Sequence, residues 1–491
     1  MKRTLFLFIF STQFVIGGLA QSSVHWNDST HQMAFKFQRF TEKKWDTTSL
    51  AKSQDLKWFV DARFGMFVHL GVASLKGVEL GWGRQSHKFP DTGTGPVADS
   101  VYDNLYKEFK LENFDAGKFV KIAKDAGMKY IVIITKHHDG FHMWNTAFSE
   151  YSIMKTPFGR DYLKEFADEV HKAGLKLGFY YSQRDFYHTD YEPVDEITIQ
   201  KLKKQGVSSI PLGQKVNISE KQKSYIRYMY NQINELLTNY GKVDILWLDA
   251  AWWGGMFTEE MWDSEGLYML ARKLQPGIII NNRASIPGDF DTPEQHIGDF
   301  QNTRPWETCM TITSSWGWEP GQDVKSSKTC ISILASTAGG DGNLLLNVGP
   351  KSDGTIEPKQ VKVLEEIGGW LRQNGTSIYG TRGGVYYPSK NLTSTFKNEI
   401  LFLHLLDIKD EKLVLPAIKE RKIIKAYFLT NGNRVEFKTV GDNYEFKIPK
   451  ELPDKLDTVL VIEFDKILDG ITPVKTVFQS INQGNLETLE P

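Results

Sequence analysis

Lys242 to Gly255 reads KVDILWLDAAWWGG, and the reading of this stretch decides the rest of the chain. Residues 243–248 are short, mostly apolar and preceded by Gly241, which is the pattern of a buried strand. One carboxylate, Asp249, closes it. An acidic side chain at the end of an apolar strand must be paired, solvated or put to work, because burying it alone costs several kcal/mol or more. A helix N-cap at a strand-to-helix junction is the plain alternative. The tryptophans around it, Trp247, Trp252 and Trp253, favour work on a sugar, since indoles cover the apolar face of a sugar ring while a carboxylate acts on it.

The same alternation extends outward. Residues 220–239 carry apolar side chains at helical spacing and feed the Asp249 strand, and residues 277–281 form the next strand, closing on Asn282 and Arg283. Upstream, FGMFVH (64–69) is a short strand ending in His69, with Gly71 turning the chain away. An amphipathic stretch, 116–126, precedes a strand over 130–135 that ends in Lys136, His137, His138 and Asp139. A helix over 161–173 leads into LKLGFYYS (175–182), where Tyr180 shares a face with Gly178 and Ser182. Strand and helix thus alternate, with polar groups gathered at the carboxyl ends of the strands, where parallel barrels place their active sites. A doubly wound open sheet would need a glycine-rich phosphate loop after a strand, and none is present. The expected fold is α/β, a (β/α) TIM-like catalytic barrel over residues 45–385.

Beyond Arg283 the passage GDFDTPEQHIGDFQNTRPWETCMTITSSWGWEPG (288–321) reads as a long loop, and long loops inside compact domains are usually functional. It holds Glu294, Glu307, Trp306, Trp316 and Trp318. A helix over 326–338, a last barrel strand over 343–348 (NLLLNV) and a closing helix over 359–373 follow. The periodicity then changes to short strands, 400–405, 426–429, 435–439, 444–448 and 458–464, separated by turn signals. This is a C-terminal antiparallel β-sandwich over 386–465, followed by a polar tail, 466–491, expected to be poorly ordered.

Composition narrows the class. A chain of 491 residues exceeds one typical core, so two domains are expected. With 59 Lys+Arg against 60 Asp+Glu and no basic tract, nucleic acid is not an expected partner. Residues 1–20 run from Lys2 and Arg3 through an apolar stretch to Gly18-Leu19-Ala20, the order of a secretory signal peptide cut after Ala20, with residues 21–44 an N-terminal extension. Its apolar run is shorter than the ~20 residues that span a bilayer, so no stable membrane anchor is expected and the protein is read as secreted or periplasmic. Sequons stand at Asn27, Asn217, Asn374 and Asn391. Spacing alone leaves open whether Cys309 and Cys330 pair, and the oligomeric state is equally open.

Two carboxylates, several histidines and tryptophans at a barrel mouth fit glycoside hydrolysis. In its retaining form one carboxylate attacks the anomeric carbon while a protonated one serves the leaving oxygen, the pair lying ~5–5.5 Å apart. Asp249 is the candidate nucleophile and Glu294 the candidate acid/base, with Glu307 its rival. A hydrolytic metal site built on His69, His137 and His138 is a second reading, opposed by the fact that adjacent histidines on a strand point apart. A sugar-binding protein without activity is a third, and it would be expected to lack one carboxylate.

Seven segments carry a family resemblance: RFGMFVHLG (63–71), KYIVIITKHHDGFHMW (129–144), AGLKLGFYYS (173–182), ILWLDA (245–250), TPEQ (292–295), PWETCMTITSSWGW (305–318) and GNLLLNVGPKSDG (342–354). In this order, over about residues 45–385, the chain resembles the α-L-fucosidases of glycoside hydrolase family 29. The resemblance implies a retaining exo-hydrolase that removes terminal α-L-fucose from oligosaccharides or glycoconjugates without metal or other cofactor. It puts Asp249 on the nucleophile and Glu294 on the acid/base. His69, His137, His138, Tyr180, Trp247, Arg283 and Trp316 match positions that hold the fucose hydroxyls and methyl face. Trp82, in GWGRQS, is a looser match. On this reading the histidines donate hydrogen bonds to sugar hydroxyls and bind no zinc. The chain departs from the family pattern at Leu70, where most relatives have Trp, and at Ala250-Ala251, where Gly is usual. Both bear on the preferred linkage and aglycone, and α-L-galactose remains an alternative sugar.

Overall fold

Gly65 shows how the floor of this fold is built. A β-carbon there would come within 2.4 Å of the Tyr130 ring, so only glycine lets that ring lie flat across the neighbouring strand. The two residues are register partners in a parallel sheet. The computed structural model describes residues 50–88, 93–205, 218–250 and 258–479. The expected signal peptide and N-terminal extension, Trp252, Trp253 and the sequons Asn27 and Asn217 lie outside the described residues.

Seven parallel strands form the first sheet: β1 (Phe64–Val68), β2 (Tyr130–Lys136), β3 (Lys176–Ser182), β4 (Ile245–Asp249), β5 (Ile279–Ile280), β6 (Glu307–Thr311) and β7 (Asn343–Val348). Their order is β5-β4-β3-β2-β1-β7-β6. All residues of β1, β2, β6 and β7 are buried, as expected where one face fills a barrel and the other lies under helices. The helices Ala116–Asp125, Tyr162–Ala173, Glu220–Asn239 and Ser327–Gly339 are each entered through an Asp or Ser, at 115, 161, 219 and 326, whose side chain accepts a first-turn N–H. Each such cap is worth about 1 kcal/mol.

The ring closes in a place that reads as loop. Between β5 and β6, three isolated parallel bridges, Asn281 with Phe290, Asp291 with Trp306 and Glu294 with Cys309, stitch residues 290–294 to both neighbours. The long passage after Arg283 therefore contains both the eighth position of the ring and a true strand, β6. Its apolar alternation is too weak to be seen in the sequence, because it carries Asp291 and Glu307, satisfied inside the protein by side chains, and Thr308, which donates to His296 O.

After the helix Pro358–Asn374 comes a sandwich with its own core. One sheet runs β12 (Ile423–Phe428), β15 (Thr458–Phe464), β10 (Ile400–Leu405), β9 (Leu392–Lys397), β8 (Arg382–Gly383), and the other β11 (Lys412–Pro416), β14 (Asn443–Lys447), β13 (Phe437–Val440). The expected strands all occur; β9 was hidden by its polar LTSTFK sequence and β11 by its closing proline. Trp370 Nε1 donates to Asp457 O at 2.9 Å, and His404 pairs with the Asp457 side chain, joining sandwich to barrel. The start of the tail is not loose: Leu468 is buried in the sandwich core and Val474 bridges Tyr386. No helix among the described residues is long and apolar enough to cross a membrane.

Candidate active site

Strand alternation sets the site. Trp247 and Asp249 share a face of β4, Tyr180 and Ser182 share a face of β3, and register pairs Tyr180 with Trp247 and Ser182 with Asp249. Phe67 and His69 share the inward face at β1, where Phe67 is the register partner of Asn347. The carboxyl ends of four strands and the two passages after β5 and β6 thus deliver their side chains to one cleft.

Asp249 stands at its centre with 18% of its side chain exposed. Tyr180 Oη donates to its Oδ2 at 2.8 Å, and His138 Nε2 lies 3.7 Å from the same oxygen. Arg283 joins the two candidate carboxylates. Its Nη1 is 3.4 Å from Asp249 Oδ1 and 2.7 Å from Glu294 Oε2, so those two oxygens can be no further apart than the two contacts laid end to end. Arg283 is itself fixed: Nε donates to Thr292 Oγ1 at 2.8 Å, Nη2 donates to Thr292 O at 3.1 Å, and the guanidinium sits 4.7 Å from the Trp247 ring centre. Burial would lower its pKa, but Glu294 first, then Cys309 and Asp249, hold it above the ordinary arginine value, so its charge is permanent.

The three histidines form a row, His69 to His137 at 5.8 Å and His137 to His138 at 4.2 Å between ring centres, with Trp316 against His69 at 5.0 Å and Trp82 against His138 at 5.0 Å. Tyr180 stacks on His137 and on Trp247. Burial pushes the pKa of all three imidazoles down, that of His137 to about 3 and those of His69 and His138 well below the ordinary value. They are therefore neutral, and their partners set the tautomers. Ser182 Oγ donates to Arg184 O at 2.8 Å, so its oxygen accepts from His138 Nδ1 at 2.6 Å. Asn347 Nδ2 donates to Trp316 O at 2.8 Å, which leaves Asn347 Oδ1 to accept from His69 Nδ1 at 2.5 Å. Both imidazoles thus present a bare Nε2. With Nδ1 engaged in this way, neither ring has an N–H left at Nε2, the opposite of the arrangement expected for donation to a sugar hydroxyl. Among the described residues no three His, Cys, Asp or Glu side chains are grouped as metal ligands.

Glu307, the rival acid/base, is elsewhere. It opens β6 at the amino end of the ring, fully buried, with Tyr130 Oη donating to one oxygen and Trp247 Nε1 to the other at 3.1 Å. Burial raises its pKa to about 7. A carboxyl enclosed beneath the indole cannot meet a leaving group at the cleft, and the rival reading falls.

A family model described as Alpha-L-fucosidase matches residues 30–376. The chain belongs to the α-L-fucosidase family. The enzyme is 29% identical over 350 residues to the alpha-L-fucosidase of Dictyostelium discoideum, covering 66% of this chain and 71% of that one. It is 28% identical over 360 residues to the plasma alpha-L-fucosidase of Homo sapiens, covering 68% and 71%. Among solved structures, alpha-L-fucosidase isoenzyme 1 from Paenibacillus thiaminolyticus aligns with a TM-score of 0.71 at 32% identity, covering 84% of this chain and 99% of that one. The Thermotoga maritima alpha-fucosidase in complex with fucose aligns at 0.66 with 26% identity, covering 83% and 96%.

Every sequence-derived candidate, Asp249, Glu294, His69, Trp82, His137, His138, Tyr180, Trp247, Arg283 and Trp316, lies in or beside this cleft in the enzyme. Of the departures from the family pattern, Leu70 is buried and Ala250 is buried with its N–H on Arg283 O, while Ala251 lies outside the described residues. Sequence reading missed the residues that hold the others. Asn347 was visible as the second of two amides in the otherwise apolar run NLLLNV. Thr292 and Ser182 carried no signal that sets them apart from ordinary strand and turn residues. Cys309 and Cys330 are both free thiols, and Cys309 lies 3.6 Å from Arg283 Nη2.

Proposed function

We propose that the protein is a retaining exo-α-L-fucosidase in which Asp249 is the nucleophile and Glu294 the acid/base. The observation that carries this reading is the single Arg283 nitrogen that touches both carboxylates, because it keeps them within reach of a separation near the ~5–5.5 Å of retaining enzymes. In the first displacement Asp249 forms a bond to C1 of fucose as the glycosidic C1–O bond breaks, and Glu294 gives its proton to the departing oxygen. In the second, Glu294 takes a proton from water, whose oxygen attacks C1 and releases Asp249. Two inversions restore the α-configuration. Tyr180 and Arg283 keep Asp249 aimed before attack, and their hydrogen bonds are released to the ester oxygen afterwards.

The neutral histidines suit this substrate. A sugar hydroxyl donates to a bare Nε2 of His69 or His138, and the aromatic faces of Trp316, Trp82 and Phe67 take apolar surface. Fucosylated oligosaccharides or glycoconjugates are the substrates this cleft fits. The order of charged, apolar and small residues in 1–20 supports export, which the amino-terminal sequence of the mature protein tests. NMR of the first-formed product from an aryl α-L-fucoside tests the mechanism: α-fucose is expected first, and β-fucose would remove Asp249 from its role. The matching α-L-galactoside, run alongside, measures selectivity at C6.

A further inference from the structure

Glu79 has no part in the reaction as written, yet its carboxylate is occupied in an unusual way. Oε1 accepts from Leu80 N at 2.8 Å and from Gly317 N at 2.9 Å, while Oε2 accepts from Trp316 N at 2.8 Å. Three backbone donors therefore converge on one side chain, two of them from a passage more than 230 residues away. The same Trp316 peptide is gripped from its other side, where Asn347 Nδ2 donates to Trp316 O. Gly317 also packs on Gly349, where a β-carbon would come within 2.7 Å of the Gly317 backbone. Burial pushes Glu79 above the ordinary carboxylate range and the three N–H groups pull it back, while Glu319 is the charged side chain that faces it. What this arrangement fixes is the relation of two short segments: Leu80 and Gly81, which lead into Trp82, and the Trp316-Gly317 step. Trp82 and Trp316 stand at the two ends of the histidine row.

We propose that Glu79 is a positioning residue for sugar binding, its carboxylate tying the segment that carries Trp82 to the segment that carries Trp316 so that the two aromatic walls keep a fixed separation. This rests on the reading that both tryptophans face the sugar. The residue acts through backbone it holds, and it touches neither the reacting atoms nor the leaving group.

The informative variant is Glu79→Gln. An amide has one acceptor oxygen, so the isosteric change leaves either Trp316 N–H or Gly317 N–H facing an NH₂ group. With the full-length protein and an aryl α-L-fucoside, KM and the inhibition constant of free L-fucose should both rise about tenfold, with kcat within about threefold, as befits loss of binding shared by ground and transition states. A global structural defect would instead lower the melting temperature and the active fraction without moving KM. Unchanged KM and inhibition constant in a folded Glu79→Gln variant would overturn the proposal, as would a fall in kcat alone. Trp316→Ala separates the two readings: if it raises KM and Glu79→Gln does not, only the tie fails, and if neither does, the site reading fails with it. Should Glu79→Gln not fold, hydrogen exchange in the unaltered protein decides. The Trp316 and Gly317 amides must be protected, and rapid exchange there rules the tie out.

Discussion

The indole N–H of Trp247 ends on Glu307, 3.1 Å away at the closed end of the barrel, while the guanidinium of Arg283 rests on the ring of the same tryptophan. An acid hidden beneath the cleft therefore supports the residue on which the arginine leans. Burial raises Glu307 from 4.5 to about 7, so folding penalises its ionised form. The stability this contributes is complete below the unfolded value and is lost as pH rises through the folded one, a loss of about 3 kcal/mol across that window. Urea unfolding of Glu307→Gln should lack this decline between pH 4.5 and 7. A parallel decline in the variant would assign it to another group.

Replacing Asp249 by Gly should abolish turnover of an aryl α-L-fucoside. Azide should restore it, occupying the vacated space and attacking C1 from the same side, so that the product is the β-fucosyl azide. Isolation of an α-fucosyl azide, or failure of any small anion to rescue, would count against Asp249 as nucleophile.

Glu294→Ala should divide substrates by leaving group. Fucosides of acidic phenols need little protonation and should keep most of their rate, whereas natural glycans should lose about 10²–10⁴-fold. Glu307→Ala, enclosed as that residue is, should show no such division. Rates across a series of aryl fucosides in both variants provide the check.

The site histidines should not titrate in the working range. His137 is pushed down to about 3 by burial, and His69 and His138 also fall well below the ordinary value, so all three stay neutral as pH moves from about 5 to 8. Nitrogen chemical shifts of the imidazoles should stay flat over that interval, with His69 and His138 in the Nδ1–H form. A shift of either ring to the imidazolium pattern would contradict the assignment. A chelator should leave activity unchanged, and loss of activity restored by Zn²⁺ would favour the metal reading.

Much of this arrangement is legible in the chain because strands of a parallel barrel are apolar throughout and change character abruptly at their carboxyl ends. Val68-His69, Thr135 to Asp139 and Leu248-Asp249 all mark that change, and the structure brings all three together. The stretch between β5 and β6 was harder. Its strand signal is carried by Asp291, Glu307 and Thr308, polar side chains whose burial depends on particular partners, Arg304 and His296 within the passage and Tyr130 far off in sequence. The hydrogen-bond directions of His69 and His138 were not readable for a similar reason: they are set by Asn347 and Ser182, and a motif records that a histidine is present without recording which nitrogen is free.

Residues 290–294 are held along β6 by a run of backbone hydrogen bonds, Asp291 N to Pro305 O, Glu307 N to Asp291 O, Cys309 N to Pro293 O and Gln295 N to Cys309 O. On the β5 side they are held by side chains, Asn282 on Asp291 and Arg283 on Thr292. The piece of chain that presents Glu294 to Asp249 is thus sewn into the wall from both edges. The acid/base rides on a fixed rail and not on a swinging arm, so its aim comes with the barrel itself.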